Sequence, residues 1–311
     1  MQLSSRLLAF GQLLRIPNVF TAFADICLAG SVTGLIYSDP LRFVLVLLSS
    51  GCLYLSGMVW NDYFDRHEDL RDRPFRPIPS GRVSAAAAVV VGMVLMLAGL
   101  GFAALATDPA SLTPSLFSGQ SPTPMFVALL LALAIFGYDG GLKQNPVGPL
   151  GMGLCRFLNV LLGFSAAGAL HLDEPLPWHL AGIVGLYIVG VTWFARTEER
   201  LSNRWPLMGA AAVMAFAVGL SLFVPVHLPP GSSPWYYPYL MLGFGLVVGQ
   251  AIQDAISRPT PARVQVAVKR SIFGLVVLDA FLAVALIGWP GLGILLLLIP
   301  ARILGRWVYS T

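Results

Sequence analysis

Charge is what this sequence has least of. Only 11% of its 311 residues are Asp, Glu, Lys or Arg, less than half of the ~25% usual in a soluble domain. With 57% apolar residues, the chain cannot cover a water-exposed globular surface. Long apolar runs recur to the C-terminus, so it reads as an all-α polytopic membrane bundle. Cysteine is scarce as well. Cys27, Cys52 and Cys155 all fall within apolar runs without metal-ligand spacing, and read as packed thiols that say nothing of redox compartment. The four histidines, at 67, 171, 179 and 227, form no ligand cluster. A Ser-His-Asp set, a phosphate-cradling glycine loop and a dinucleotide fingerprint are all missing. The net charge of +4 is dispersed among loops, which argues against a nucleic-acid partner. Met1 to Gln12 holds one Arg and no small-residue cleavage site, so no cleaved signal is expected.

What is present is a succession of apolar runs. Spans are expected near 17–37, 41–60, 84–106, 125–138, 147–170, 178–195, 206–224, 236–256 and 271–287. A shorter run at 292–304 is a possible tenth. The pattern predicts nine transmembrane helices, without internal repeat or soluble domain, as one membrane domain over 1–311. Basic residues alternate with the connections. One side receives Arg6, Arg15, the cluster from Arg66 to Arg82, Lys143, Arg200, Arg204, Arg258, Arg263, Lys269 and Arg270; the other receives Arg42. The excess of Lys and Arg puts the N-terminus and the charged loops on the cytoplasmic side, of the inner membrane if the source is bacterial.

The second span delivers the most polar stretch of the chain, Asn61-Asp62-Tyr63-Phe64-Asp65-Arg66-His67-Glu68-Asp69, with Arg73 and Arg76-Pro77-Ile78-Pro79-Ser80-Gly81 after it. Asn61, Asp65 and Asp69 are four apart, and Asp62 falls three before Asp65. On a continuing helix they crowd one face. Like charges so placed repel unless a counter-ion joins them. Carboxylate and amide oxygens suit Mg2+, which takes one or two carboxylates and completes its shell with phosphate and water. The stretch therefore reads as a diphosphate–metal site at a membrane surface; the alternative is a solvated charged loop.

Polar residues also fall within the spans: Asp25 in the first, Arg156 and Asn159 in the fifth, Asp254 and Asp279 in the eighth and ninth. Each alone is compatible with an interhelical ion pair or hydrogen bond; together they suggest a shared polar cavity. Asp279 reads as structural. A second acidic cluster, Arg196-Thr197-Glu198-Glu199-Arg200, ends the sixth span on the same side as Asp62 and Asp65. It reads either as ligands for a second metal or as a charged helix end. Arg73, Arg76 and Lys143 are placed to neutralise phosphate oxygens, and Tyr138 ends the fourth span.

The Asn61-Asp62-x-x-Asp65-x-x-x-Asp69 motif, followed by Arg76-Pro77-Ile78-Pro79-Ser80-Gly81, resembles the UbiA superfamily of intramembrane prenyltransferases, of the 4-hydroxybenzoate polyprenyltransferase type. Arg15-Ile16-Pro17-Asn18 with Asp25, and Tyr138 to Lys143 followed by Gly151 to Asn159, are similar to branches of that family. The resemblance implies nine transmembrane helices around a central cavity and Mg2+-dependent transfer of a prenyl group. The donor would be an isoprenyl diphosphate and the acceptor a small lipophilic or aromatic compound within membrane lipid. Carried over, it implies that Asn61, Asp62, Asp65 and Asp69 hold Mg2+, with Glu198 and Glu199 at a second acidic motif. It also implies that Arg73, Arg76 and Lys143 touch the diphosphate, that Asn18, Asp25, Arg156 and Asn159 line the substrate cavity, and that Asp62, Asp65, Tyr138 and Lys143 serve the reaction. Two departures stand out: Ala195 occupies the first acidic position of the second motif, and Tyr138 and Lys143 are one residue further apart than in the family. Phosphoribosyl transfer to a polyprenyl phosphate, and a carrier that keeps the fold without the chemistry, are the alternatives.

Overall fold

The computed structural model describes residues 2–107, 123–171, 173–196 and 203–308. The described residues are built from helices without strands. In chain order these are α1 (Gln2–Leu14), α2 (Val19–Val32), the four-residue α3 (Leu35–Ser38), α4 (Pro40–Asp72), α5 (Ala85–Ala106) and α6 (Pro124–Asp139). They continue as α7 (Gly148–Ala166), α8 (Pro175–Ala195), α9 (Arg204–Ser221), α10 (Tyr237–Ser257), α11 (Pro261–Ile287) and α12 (Leu298–Trp307). Nine segments among the described residues are long and apolar enough to cross a membrane.

The number agrees with the sequence expectation, but the membership differs. The terminal run qualifies once Trp289–Leu297, a 3-10 segment, joins α12 into one 18-residue stretch. The fourth expected span, α6, has 16 residues and so reaches only about 24 Å. The first span begins earlier than expected, α1 and α2 together supplying it, and α11 starts at Pro261 rather than Ser271. The link from Thr107 to Pro124 lies mostly outside the described residues.

α4 organises the bundle. Asp39 caps its start by accepting from the Arg42 amide at 3.0 Å, with Pro40 in the first turn, where a missing N–H does no harm. Its 33 residues extend about 50 Å, well beyond a hydrocarbon core of ~30 Å. The surplus turns carry the acidic motif past the apolar layer. The helix stops at Arg73, since the following Pro74 disfavours helical backbone there. α2 lies at the centre, touching α4, α7 and α11, while α4 pairs with α5, and α7 with α8.

Lipid offers no hydrophobic drive to bring helices together, so close backbone packing has to supply it. α7 and α8 meet at Gly153 and Gly185. A Cβ at Gly153 would lie 2.7 Å from the Gly185 carbonyl and 2.4 Å from a Val189 methyl. Gly153→Ala is therefore expected to lower stability by roughly 1–3 kcal/mol. Gly182→Ala, where a Cβ meets nothing within 4 Å, is expected to be neutral. Thermal unfolding of both variants in one detergent checks this pair.

Candidate functional site

At its polar end α4 presents Asp62 and Asp69, both buried, and the half-buried Asn61 and Asp65. Cations meet them from three parts of the chain. The Arg15 guanidinium donates to Asp62 Oδ1 at 2.8 Å. It comes from the turn between α1 and α2, where Arg15 takes left-handed backbone (φ 47°, ψ 45°) and is the one non-glycine residue with positive φ among the described residues. Arg76, also buried, donates to Asp69 Oδ2 at 2.9 Å and lies 3.5 Å from Asp62 Oδ1. Arg73 approaches Asp69 at 3.6 Å. Lys143 Nζ pairs with Asp65 Oδ1 at 2.6 Å and reaches the Asn61 carbonyl at 3.4 Å. Asn61 Nδ2 in turn donates to Asp139 Oδ1 at 3.2 Å.

Beside these pairs lies a cavity of about 80 Å3 lined by Gln12, Arg15, Asp62, Phe75, Arg76, Pro77 and Arg82. The loop after α4 closes over it. Arg82 bonds the Phe75 carbonyl at 2.6 Å and Gln12 Oε1 at 2.7 Å, tying the Arg-Pro-Ile-Pro segment to α1. Three guanidinium groups and one carboxylate around one hollow make a site for an anion with several oxygens.

Asp62, Asp65 and Asp69 do not form one metal cage: among the described residues, no three His, Cys, Asp or Glu converge. The helix sets them along successive turns, and cations draw them aside, Arg15 and Arg76 at Asp62, Lys143 at Asp65, Arg76 and Arg73 at Asp69. Their oxygens still suit Mg2+, which needs only one or two carboxylates beside phosphate and water. Glu198 and Glu199 lie outside the described residues. Arg196 is described, and among the described residues its partners are backbone carbonyls. Its guanidinium donates to the carbonyls of Lys143 (3.1 Å), Pro146 (3.3 Å) and Asn145, holding the loop that carries Lys143. Tyr138 is half-buried, its ring against Gly151. Asn18 sits at the α1–α2 turn, where its carbonyl accepts from Thr21 Oγ1 at 2.8 Å.

Asp25, Arg156 and Asn159 do come together, deep in the bundle. Arg156 Nη1 lies 3.2 Å from Asp25 Oδ2, an ion pair without hydrogen-bond geometry, while Nη2 donates to Thr21 Oγ1 at 2.5 Å. Asn159 Nδ2 donates to Asp25 Oδ2 at 2.8 Å and to the Ala22 carbonyl at 3.0 Å, and Ser50 donates to Asn159 Oδ1 at 2.7 Å. Asp279 is fully buried beside Asp25, within hydrogen-bonding reach of it. Asp254 is exposed on α10 and takes no part. Arg15, Asp139 and the Asp25–Asp279 proximity were missed from sequence, because each depends on a partner far along the chain. The Arg15-Ile16-Pro17-Asn18 turn was the only available signal for the first.

A model of the UbiA prenyltransferase family matches residues 18–271. The chain belongs to the UbiA prenyltransferase family. It is 35% identical over 248 residues to digeranylgeranylglyceryl phosphate synthase of Methanoregula boonei, covering 74% of this chain and 77% of that protein. It is 40% identical over 247 residues to the chloroplastic chlorophyll synthase of Oryza sativa subsp. japonica, covering 73% and 62%. Matches to two other archaeal relatives span only 41% and 51% of their length. The structure of a UbiA homolog from Archaeoglobus fulgidus bound to DMAPP and Mg2+ superposes with a TM-score of 0.54 at 16% identity, covering 96% of this chain and 97% of the other. This UbiA-family bundle thus has the fold that the motif implied, and the multi-pass membrane character that the composition required.

In this UbiA-family chain Arg76 is the buried partner of two carboxylates. Removing one side of such a pair costs about 3–5 kcal/mol, whereas an exposed pair is worth about 0–1 kcal/mol. Arg76→Ala should therefore lower the unfolding temperature and open the 73–83 loop to protease far more than Arg42→Ala, whose pair with Asp39 is well exposed. Equal loss in the two variants would contradict the assigned pairing.

Proposed function

We propose that this chain transfers a prenyl group from an isoprenyl diphosphate to a lipophilic acceptor within the membrane, using Mg2+ and releasing pyrophosphate, with the charged mouth on the cytoplasmic side. The observation that carries the reading is the small hollow where Arg15, Arg76 and Arg82 face Asp62, one turn from the Asp65–Lys143 pair.

The diphosphate would enter as an anion and compete with the carboxylates for Arg15, Arg76 and Lys143. Each guanidinium offers paired donors to phosphate oxygens, and Lys143 adds a point charge. Carboxylate oxygens of Asp62, Asp65 and Asp69 released from these cations, with the Asn61 amide oxygen, are the groups that would hold Mg2+. Bound there, Mg2+ supplies neutralisation of the charge that grows on the leaving pyrophosphate. As the allylic C–O bond breaks, its electron pair passes to the bridging oxygen, where Arg15, Arg76 and Lys143 stabilise it. The electron-poor prenyl carbon is taken by the acceptor nucleophile, whose proton passes to the released pyrophosphate. The apolar helices around the site keep water from competing. Tyr138, near the Lys143 end of the site, is assigned to the wall beside the reacting carbon.

Two measurements test this. Purified protein in nanodiscs should bind labelled prenyl diphosphate saturably, and chelation with EDTA should abolish that binding until Mg2+ is restored. Asp65→Asn should keep the fold yet lose Mg2+-dependent binding and pyrophosphate release by at least about a hundredfold, the scale on which oriented charge stabilisation acts. Full activity in Asp65→Asn would refute the assignment.

A further inference from the structure

Asp139 is buried where it ends α6, one residue after Tyr138. A carboxylate so placed is costly without a partner, and its Oδ1 accepts from the Asn61 amide Nδ2 at 3.2 Å. The helix closes directly behind it, the Gly140 N–H returning to the Phe136 carbonyl at 2.8 Å. From this turn Lys143 reaches back to α4, to the Asn61 carbonyl at 3.4 Å and to Asp65 Oδ1 at 2.6 Å. One short connection thus grips Asn61 by its side chain and by its backbone.

The side chain of Asn61 has two ends of opposite character. An ionised carboxylate only accepts, so Asp139 selects the NH2 end of the amide. The Oδ1 end is then turned away from Asp139 and takes no hydrogen bond among the described residues. It stands on α4 next to Asp62 and one turn before Asp65. Mg2+ binds through oxygen, and an amide offers a single one. Asp62, Asp65 and Asp69 present two like oxygens each and need no such choice. Without Asp139, half a turn of the Asn61 amide would bring N–H, the positive end of a dipole, toward the ion.

We propose that Asp139 is a positioning residue for Mg2+, fixing the Asn61 side chain so that its amide oxygen, and not its nitrogen, faces the metal. The proposal rests on the prenyl-transfer reading, and it adds the residue that orients one of the assigned metal ligands. Outer hydrogen bonds commonly set the orientation of metal ligands, and loss of one lowers metal affinity by about 10–100-fold. Asp139 lies 78 positions from Asn61 in the chain, so the α6–α7 connection completes a metal site carried by α4.

Mn2+, a paramagnetic stand-in that shares the oxygen preference of Mg2+, provides the test. It is titrated onto the full chain in phosphatidylcholine nanodiscs loaded with geranylgeranyl thiodiphosphate, an unreactive analogue of the donor. Free Mn2+ is read from its electron paramagnetic resonance signal, so no turnover is involved. Asp139→Ala is expected to weaken Mn2+ binding about tenfold or more, and Asn61→Ala to do the same. Asp139→Leu, close in shape but without an accepting oxygen, should match Asp139→Ala and replaces it if the alanine variant folds poorly. In the Asn61→Ala background neither change at Asp139 should cost anything further, because the oxygen it orients is already gone. A loss that persists in that background would mean that Asp139 acts by its charge or through the fold, and would overturn the proposal. Unchanged Mn2+ affinity in the Asp139 variants, or in Asn61→Ala, would overturn it as well. Failure of the prenyl-transfer reading looks different: the wild-type protein would then hold no Mn2+ with the analogue.

Discussion

Everything at the mouth of this bundle depends on one electrostatic constraint: α4 carries Asp62, Asp65 and Asp69 on one face, two of them buried, and each needs a cation. Like charges at helical spacing repel, and burial removes the water that would screen them. The chain answers from three separate places, with Arg15 before α2, Arg76 after α4 and Lys143 after α6. Because these positions are far apart in sequence, satisfying the acids also pins the turn, the loop and the α6–α7 connection to one helix. Arg196 extends the arrangement by fixing the carbonyls around Lys143. The cations that hold this arrangement together are the same groups to which the proposed diphosphate contacts are assigned.

The membrane sets the second requirement. A 33-residue helix is far longer than crossing needs, and the excess lifts the motif out of the apolar layer without a break in hydrogen bonding. Polar groups left below that level must find one another, as Asp25, Arg156, Asn159 and Ser50 do. The close approach of α7 to α8 at Gly153 and Gly185 sets α7, and with it Arg156 and Asn159, against its neighbour.

Much of this was legible in the residues, and the part that was not has a common cause. Span positions could be read because hydropathy is local, as with Ala85–Ala106 and Pro175–Ala195. The ends of α1 and α11 were misjudged where charged residues sit on helical turns beyond the apolar layer. Asn61, Asp62, Asp65 and Asp69 were readable because their spacing is a property of one helix. Arg15 looked like an ordinary loop charge until the turn brought it to Asp62, and Asp139 lay unnoticed beside Tyr138. Asp279 read as structural because nothing near it in sequence hints at Asp25, some 250 positions earlier. Arg196 drew attention as a departure from a motif, and only its position revealed that it grips a neighbouring loop.

Arg15 adds a consequence of its own. Its left-handed backbone carries a conformational penalty of about 1–3 kcal/mol, sustained by the bond from its guanidinium to Asp62. That bond acts beside the Arg82–Gln12 bond, which ties α1 to the loop after α4. The guanidinium best placed to meet an anion at the mouth thus also makes one of the bonds that seat the first helix against α4.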